Sequence, residues 1–266
     1  MLCTLGDLLL DVIVRLDGPI AEDTDTYGRT RVGAGGQAAN VAAWTAALGG
    51  KARFVGKRAR DPAGRLVSDE LLGRGVEVVG PEVEAGTGTV VSLATPDGKR
   101  TMLSDRGVAP QFNPEELDAT WLRGCEWLHV PVYCLARPPL RDTALRAIRL
   151  ADQVSLDLSG TVALEQAGLN LVRDLIEDHA LTVVFGNEAE IEMLGSVPAG
   201  AIVVKRGARG ILVRTHSETR ELPALEANVV DTTGAGDALA AGYLVGGPEL
   251  GLRAAARCVA QLGAMP

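Results

Sequence analysis

Asp231-Thr232-Thr233-Gly234-Ala235-Gly236-Asp237 runs directly into the apolar segment Ala238 to Val245. The spacing predicts a tight glycine turn opening a helix over Ala235 to Val245. Gly234 and Gly236 let the backbone turn and leave amides open at a helix N-terminus, where phosphate or developing negative charge is stabilised. Asp237 falls in the first helical turn, where a carboxylate could take the proton from a hydroxyl that attacks a phosphoryl group. The alternative is a threonine cap with Asp237 complementing the helix dipole. Two threonines, two glycines and two carboxylates within seven residues favour the chemical reading.

Outward from this stretch, apolar strands alternate with helices. Strands are expected at Leu2 to Arg15 (one strand or a pair), Tyr27 to Val32, Ala52 to Val55, Trp127 to Val132, Val154 to Leu158, Leu181 to Phe185, Ala201 to Val204 and Ile211 to Val213. Helices are expected at Gln37 to Leu48, from Asp61-Pro62 onward, and at Pro114 to Arg123, Pro139 to Leu150, Val162 to Asp178, Asn187 to Leu194 and Glu249 to Leu262. Such alternation implies an α/β fold, a mostly parallel sheet with helices on both faces and ligands beyond the strands' carboxyl ends. Thr87 to Ser104 departs from it: two short strands around Pro96-Asp97-Gly98-Lys99 read as a hairpin. With Asp11 to Val32 it could form a separate small sheet.

Composition narrows the function. The chain has 266 residues, 47% of them hydrophobic and only 3% aromatic, so it carries an aliphatic core. A formal charge of −8 argues against nucleic acid or an anionic membrane as main partner. No apolar run approaches the roughly 20 residues of a span, and there is no basic leader. A reducing cytoplasm is the expectation. Cys3, Cys125, Cys134 and Cys258 are scattered with no C-x-x-C pair, which speaks against zinc and against a disulfide framework. Cys125 and His129 read as a buried structural pair. Trp44, Trp121 and Trp127 read as core.

Three further motifs lie where such sheets bind ligands. Gly35-Gly36-Gln37-Ala38-Ala39-Asn40 brings a backbone close to a small polar ligand, with Asn40 offering donor and acceptor. Its match to a dinucleotide fingerprint lacks the acidic residue roughly 20 positions on. Asn187-Glu188-Ala189-Glu190 and Lys205-Arg206-Gly207-Ala208-Arg209-Gly210 each follow an apolar strand. No Gly-x-x-x-x-Gly-Lys-[Ser/Thr] loop occurs.

In this order, with Gly6-Asp7 and Asp11 ahead of them, these motifs resemble the ribokinase-like (PfkB) carbohydrate kinases along the whole chain. The resemblance implies one kinase domain over 1–266, three layers α/β/α, with a small β-sheet lid formed by about 11–32 and 87–104. It implies ATP and Mg²⁺, with Asp237 as catalytic base and the Gly234, Ala235 and Gly236 amides as anion hole. Asn187 and Glu190 would position ATP phosphates and Mg²⁺, Glu190 through water. Lys205, Gly207, Gly210 and Gly236 would line the nucleotide site. Asp11, Gly35, Gly36, Asn40 and Asp237 would hold the sugar. Asp231 and Thr233 would share a monovalent cation, K⁺, in members that bind one. Members usually continue beyond Gly263-Ala264-Met265-Pro266, so part of that cation site is expected to be missing.

Arg106 follows the hairpin, where a guanidinium would favour an acidic or phosphorylated sugar; a salt bridge with a neighbour is the alternative. The expected reaction is ATP-dependent phosphorylation of a hydroxymethyl group on a small sugar or sugar acid of the ribose, fructose or 2-keto-3-deoxygluconate type. A nucleoside kinase of the same fold, a non-catalytic sugar or nucleotide sensor, and a dinucleotide oxidoreductase are the alternatives. A homodimer through the lid is a family-level expectation.

Overall fold

The computed structural model describes residues 1–95, 100–178 and 182–266. Nine strands form the main sheet in the order Thr219–Leu222, Ile211–Thr215, Ala201–Lys205, Val183–Asn187, Val154–Asp157, Trp127–Pro131, Leu2–Leu5, Ala52–Val55 and Glu77–Val79. All neighbours are parallel except at the Ala201–Lys205 edge, where the last two strands fold back antiparallel. Strand order reverses around Leu2–Leu5. A crevice opens at such a switch, beyond the carboxyl ends.

Both faces are covered. One core packs Leu128, Val130, Leu156 and Val184 against Leu140–Leu150, Thr161–Ala167, Leu169–Asp178 and Glu188–Leu194. On the other face Val183, Phe185 and Val203 meet Gln37–Ala47, Ala235–Gly246 and Pro248–Val259. Those last helices are rich in alanine and glycine, which lets them lie close. A Cβ on Gly242 would stand 2.7 Å from Gly251 Cα. Among the described residues no helix is long and apolar enough to cross a membrane.

A second sheet of four strands, Gly28–Gly35, Leu9–Leu16, Thr87–Ala94 and Arg100–Gly107 in that order, stands over the crevice. It is the expected lid, and its strands extend to Leu9 and Gly107. The expected turn Pro96-Asp97-Gly98-Lys99 lies outside the described residues, as do His179 and the start of the expected Leu181 strand. Asp61 caps helix Pro62–Gly73 through the Gly64 N–H at 2.7 Å. The same carboxylate accepts from Thr87 N and Oγ1, which ties that helix to the lid.

Several expectations are corrected. Pro114 to Arg123 is no helix but two 3₁₀ turns, Pro114–Glu116 and Ala119–Leu122, because Asn113 and Asp118 each cap a separate turn. Val162 to Asp178 is two helices, broken where Gly168 takes φ 89°. The last helix stops at Val259. Cys3 and Cys125 form a disulfide, with Cα atoms 5.8 Å apart. Parallel pairing of Leu2 with Trp127 brings residue 125 beside the first strand, and 122 residues of separation hid this in the sequence. His129 therefore pairs not with Cys125 but with Ser155 Oγ, at 2.9 Å. Burial depresses the His129 pKa to about 4, so the ring is neutral.

Candidate active site

Two cavities of about 580 and 560 Å³ meet at the start of helix Ala235–Gly246. Gly234 begins that helix in the left-handed region, φ 78°, and a Cβ there would stand 2.6 Å from Ala264 Cα. Only glycine fits both constraints. Among the described residues no side chain caps the helix. Gly234 and Asp237 line the first-turn side of one cavity, Ala235 and Gly236 that of the other. The Ala235 N–H makes a long bond, 3.3 Å, to Thr232 O.

Asp237 Oδ2 accepts a hydrogen bond from Asn40 Nδ2 at 2.7 Å. Burial, above all, pushes the Asp237 pKa up to about 7; Asp157 and Asp11 push the same way, while Asn40 and Lys205 oppose. A carboxyl poised there suits a base working near neutral pH. Asn40 comes from helix Gln37–Ala47, and its Oδ1 is buried without a partner among the described residues, an acceptor available to a ligand.

Asp11 enters the same cavity from the lid strand Leu9–Leu16. Burial first, then Glu70, raise its pKa to about 6. Gly35 packs so closely that a Cβ would run into the Asp11 carboxyl. Gly36 lies beside it in the cavity wall, before helix Gln37–Ala47. Arg106 is in this cavity too, but its charge is already matched. Nε and Nη2 donate to the two Asp7 oxygens at 2.6 and 2.9 Å, and Nη1 donates to Tyr133 O.

Asn187 and Glu190 form a reciprocal capping box: Asn187 Oδ1 accepts from Glu190 N, and Glu190 Oε2 from Asn187 N, each at 2.9 Å. Glu190 is buried, which raises its pKa, and it lines the Asp237 cavity. Asn187 is exposed and lines neither cavity. Lys205, Gly207 and Gly210 line the larger cavity, as the glycine-rich turn leads one to expect. Thr233 lines the Asp237 cavity, whereas Asp231 lines neither cavity. Asp231 Oδ1 accepts from Thr233 N and Oγ1, and Oδ2 from Gly263 N.

Sequence reasoning missed Asp7 and Asp157 as cavity residues, together with Tyr133, Gln37 and Ser159. Asp7 and Asp157 follow or end apolar strands at the carboxyl edge, a position that could have flagged them. It also missed the apolar wall of the larger cavity, Ala224, Leu225, Ala227 and Val229 with Leu252, Ala255 and Val259, beside Glu226. That wall mixes a loop with one helix face, and no motif marks it.

Two adjoining clefts meet at a helix terminus beside a near-neutral carboxyl, an arrangement that could bring a phosphoryl donor to a small acceptor, and similarity to known proteins shows the chain to be an ATP-dependent sugar kinase. It belongs to the pfkB family of carbohydrate kinases, whose pattern matches residues 1–265. An ATP-dependent ribose-1-phosphate kinase of Halopiger xanaduensis is 33% identical over 252 residues, covering 90% of this chain and 82% of that protein. A fructokinase of Escherichia coli is 27% identical over 277 residues, covering 93% and 84%. Among solved structures, an adenosine kinase from Sinorhizobium meliloti superposes with TM-score 0.87 at 24% identity, covering 100% of this chain and 95% of that one.

Proposed function

We propose that the chain moves the γ-phosphoryl of ATP onto a hydroxymethyl group of a small sugar held in the Asp237 cavity. The observation that carries this is the Asp237 carboxyl, held by Asn40 at the junction of the two cavities. ATP would occupy the larger cavity, between the turn Lys205 to Gly210 and the apolar wall of Ala224 to Val229. Asp237 takes the hydroxyl proton as that oxygen attacks. The first-turn amides of Gly234, Ala235 and Gly236 meet the charge on the transferring group. Asp11, Asn40 and the backbone at Gly35 and Gly36 orient the sugar hydroxyls. The lid strands over the crevice would exclude water.

Glu190 suits Mg²⁺ that arrives with ATP. Among the described residues no cluster of three His, Cys, Asp or Glu could cage a metal, and Mg²⁺ is commonly held by one carboxylate, waters and substrate phosphates. When bound it would neutralise phosphate charge. Both Glu190 oxygens already accept from Asn187, so contact through water fits better than direct ligation. Asp231, Thr233 and nearby carbonyls are hard oxygen donors of the kind K⁺ takes. Asp231 also accepts from Gly263, so the chain's last residues close this loop.

The cavity charge favours a neutral sugar of the ribose or fructose type. Asp7, Asp11, Asp157, Glu190 and Asp237 face only Arg106 and Lys205, and each of these cations is already paired with a carboxylate. A phosphorylated sugar is the second reading, supported by the name of the Halopiger relative. It would require Asp7 to surrender Arg106. A nucleoside is less suited: Tyr133 is the one aromatic residue among those lining this cavity, and Arg106 lies over its ring at 6.0 Å.

The test is ADP release across ribose, fructose, 2-keto-3-deoxygluconate, ribose 1-phosphate and nucleosides. Turnover on neutral sugars is expected, and activity on nucleosides alone would overturn the assignment. Asp237→Asn should lower kcat by about 10²–10⁴ while ATP still binds. A variant with near-normal turnover removes Asp237 as the base.

A further inference from the structure

The two cavities share one side chain. Among the described residues lining them, Lys205 alone belongs to both. Its backbone ends strand Ala201–Lys205, and its ammonium reaches two strands across the sheet to Asp157. Nζ donates to both Asp157 oxygens, at 3.0 and 2.8 Å. Asp157 is fully buried, whereas the Lys205 side chain keeps 21% of its surface exposed. A Cβ on Gly236 would stand 3.4 Å from Nζ. The ammonium therefore lies against the uncapped first turn of Ala235–Gly246, so two sources of positive potential converge there.

We infer that Lys205 is a catalytic residue that stabilises the phosphoryl group in transit, and that Asp157 is the positioning residue that holds its ammonium at the cavity junction. This rests on the phosphotransfer reading above. The bond from the γ-phosphorus to its bridging oxygen breaks, and ADP leaves with that electron pair. A bond to the sugar oxygen forms, and the hydroxyl proton passes to Asp237. Lys205 keeps its own proton throughout.

In a loose transition state the charge lies on the three equatorial oxygens of the moving group. Those oxygens must pass the junction that Lys205 occupies. An ammonium has three donors; two go to Asp157, and the third has no partner among the described residues. An interaction met only in transit lowers the barrier without tightening ground-state binding. Burial works against the Lys205 charge, but Asp157, then Glu190 and Asp237, outweigh it and keep the group protonated.

A strut between strands would place the same pair at the same distance, so the experiment separates charge from scaffolding. Lys205→Met should lose about 10²–10³ in kcat, the scale of losing one transition-state donor. Its sugar KM and ADP affinity should stay within about threefold of wild type. Capture of ADP with aluminium fluoride in the presence of sugar, which mimics the transition state, should fall in step with kcat. Lys205→Gln/Asp157→Asn keeps a neutral hydrogen bond across the strands and removes the buried charge. It should melt close to wild type yet remain as slow as Lys205→Met.

If the double variant turns over and captures ADP–aluminium fluoride as wild type does, the pair is a strut and the inference fails alone. A rise in ATP KM at unchanged kcat assigns Lys205 to ground-state nucleotide binding and also overturns it. A wild-type protein that phosphorylates no sugar in the screen overturns the phosphotransfer reading and this inference together.

Discussion

At the residue scale the site turns on how one carboxyl keeps a useful pKa. Burial drives Asp237 up to about 7, and the Asn40 amide is its direct hydrogen-bond restraint. As the proposed base, Asp237 must be ionised to accept a proton, so kcat/KM should fall as pH drops through about 7. Removing a donor to the charged form raises the pKa further. Asn40→Ala should therefore move the acid limb to higher pH by about one unit, since a hydrogen bond to a charged group contributes roughly 1.5–3 kcal/mol and a unit is about 1.4. The pH–rate profile reads this separately from any loss of sugar contacts, which changes its height. A limb that stays fixed or moves acidward would show that Asn40 does not tune the base. The sequence offered Asp237 and Asn40 as members of separate motifs. Their contact joins residues 197 apart, and only the packing of helix Gln37–Ala47 beside Ala235–Gly246 creates it.

At the scale of elements, helix Ala235–Gly246 carries both the amides and the carboxyl of the proposed anion hole and base, and its geometry hangs on one residue. Gly234→Ala would put a side chain at φ 78° and against Ala264. Strain of that kind costs about 1–3 kcal/mol, which urea unfolding would measure. Relief by tilting the first turn would displace the amides and Asp237 together, so kcat should fall at least tenfold, one decade per 1.4 kcal/mol of barrier. Full activity in the folded variant would mean that the helix start is not what binds the moving charge. This element was legible because glycines, carboxylates and an apolar run sit in one short stretch. The apolar strands were legible for the same local reason. The segment 114–123 was not, because distant side chains hold it and its approach, in addition to its local caps. Arg53 Nη1 holds the carbonyls of Trp121 and Arg123, and Lys57 holds Gln111 O and the Glu116 carboxylate. Tertiary bonds of this kind outcompete a helix that local propensity would allow.

Across the whole molecule, the lid and the body both line the cavity around Asp237, so their alignment bears on the proposed site. The lid strands supply Asp11 and Arg106, and the body supplies Asp237, Asn40 and Lys205. The net charge of −8 gave no hint of this division. Two arginines on neighbouring lid strands reach down to the body: Arg15 donates to Val230 O at 2.9 Å and Arg31 to Leu262 O at 2.6 Å. Those carbonyls flank Asp231 and Gly263, which are themselves joined, and Trp44 Nε1 fastens Ala264 O to helix Gln37–Ala47 at 2.8 Å. The lid is thus latched to the same loops that seat Gly234. Both arginines are exposed, so each bond is worth less than a buried charged pair. Arg15→Ala/Arg31→Ala should raise sugar KM about three- to tenfold, as two solvent-screened bonds of a few tenths to one kcal/mol imply. With the lid less firmly placed, water should reach the phosphoryl group more often. ADP release without sugar should rise as a fraction of sugar-dependent turnover. The melting temperature should hardly change, because neither arginine is buried. Unaltered KM and unaltered sugar-free ADP release would separate the lid's position from these two bonds and assign it to the strand pairing at its base, where Leu9 meets Gly35 and Leu10 meets Ala34.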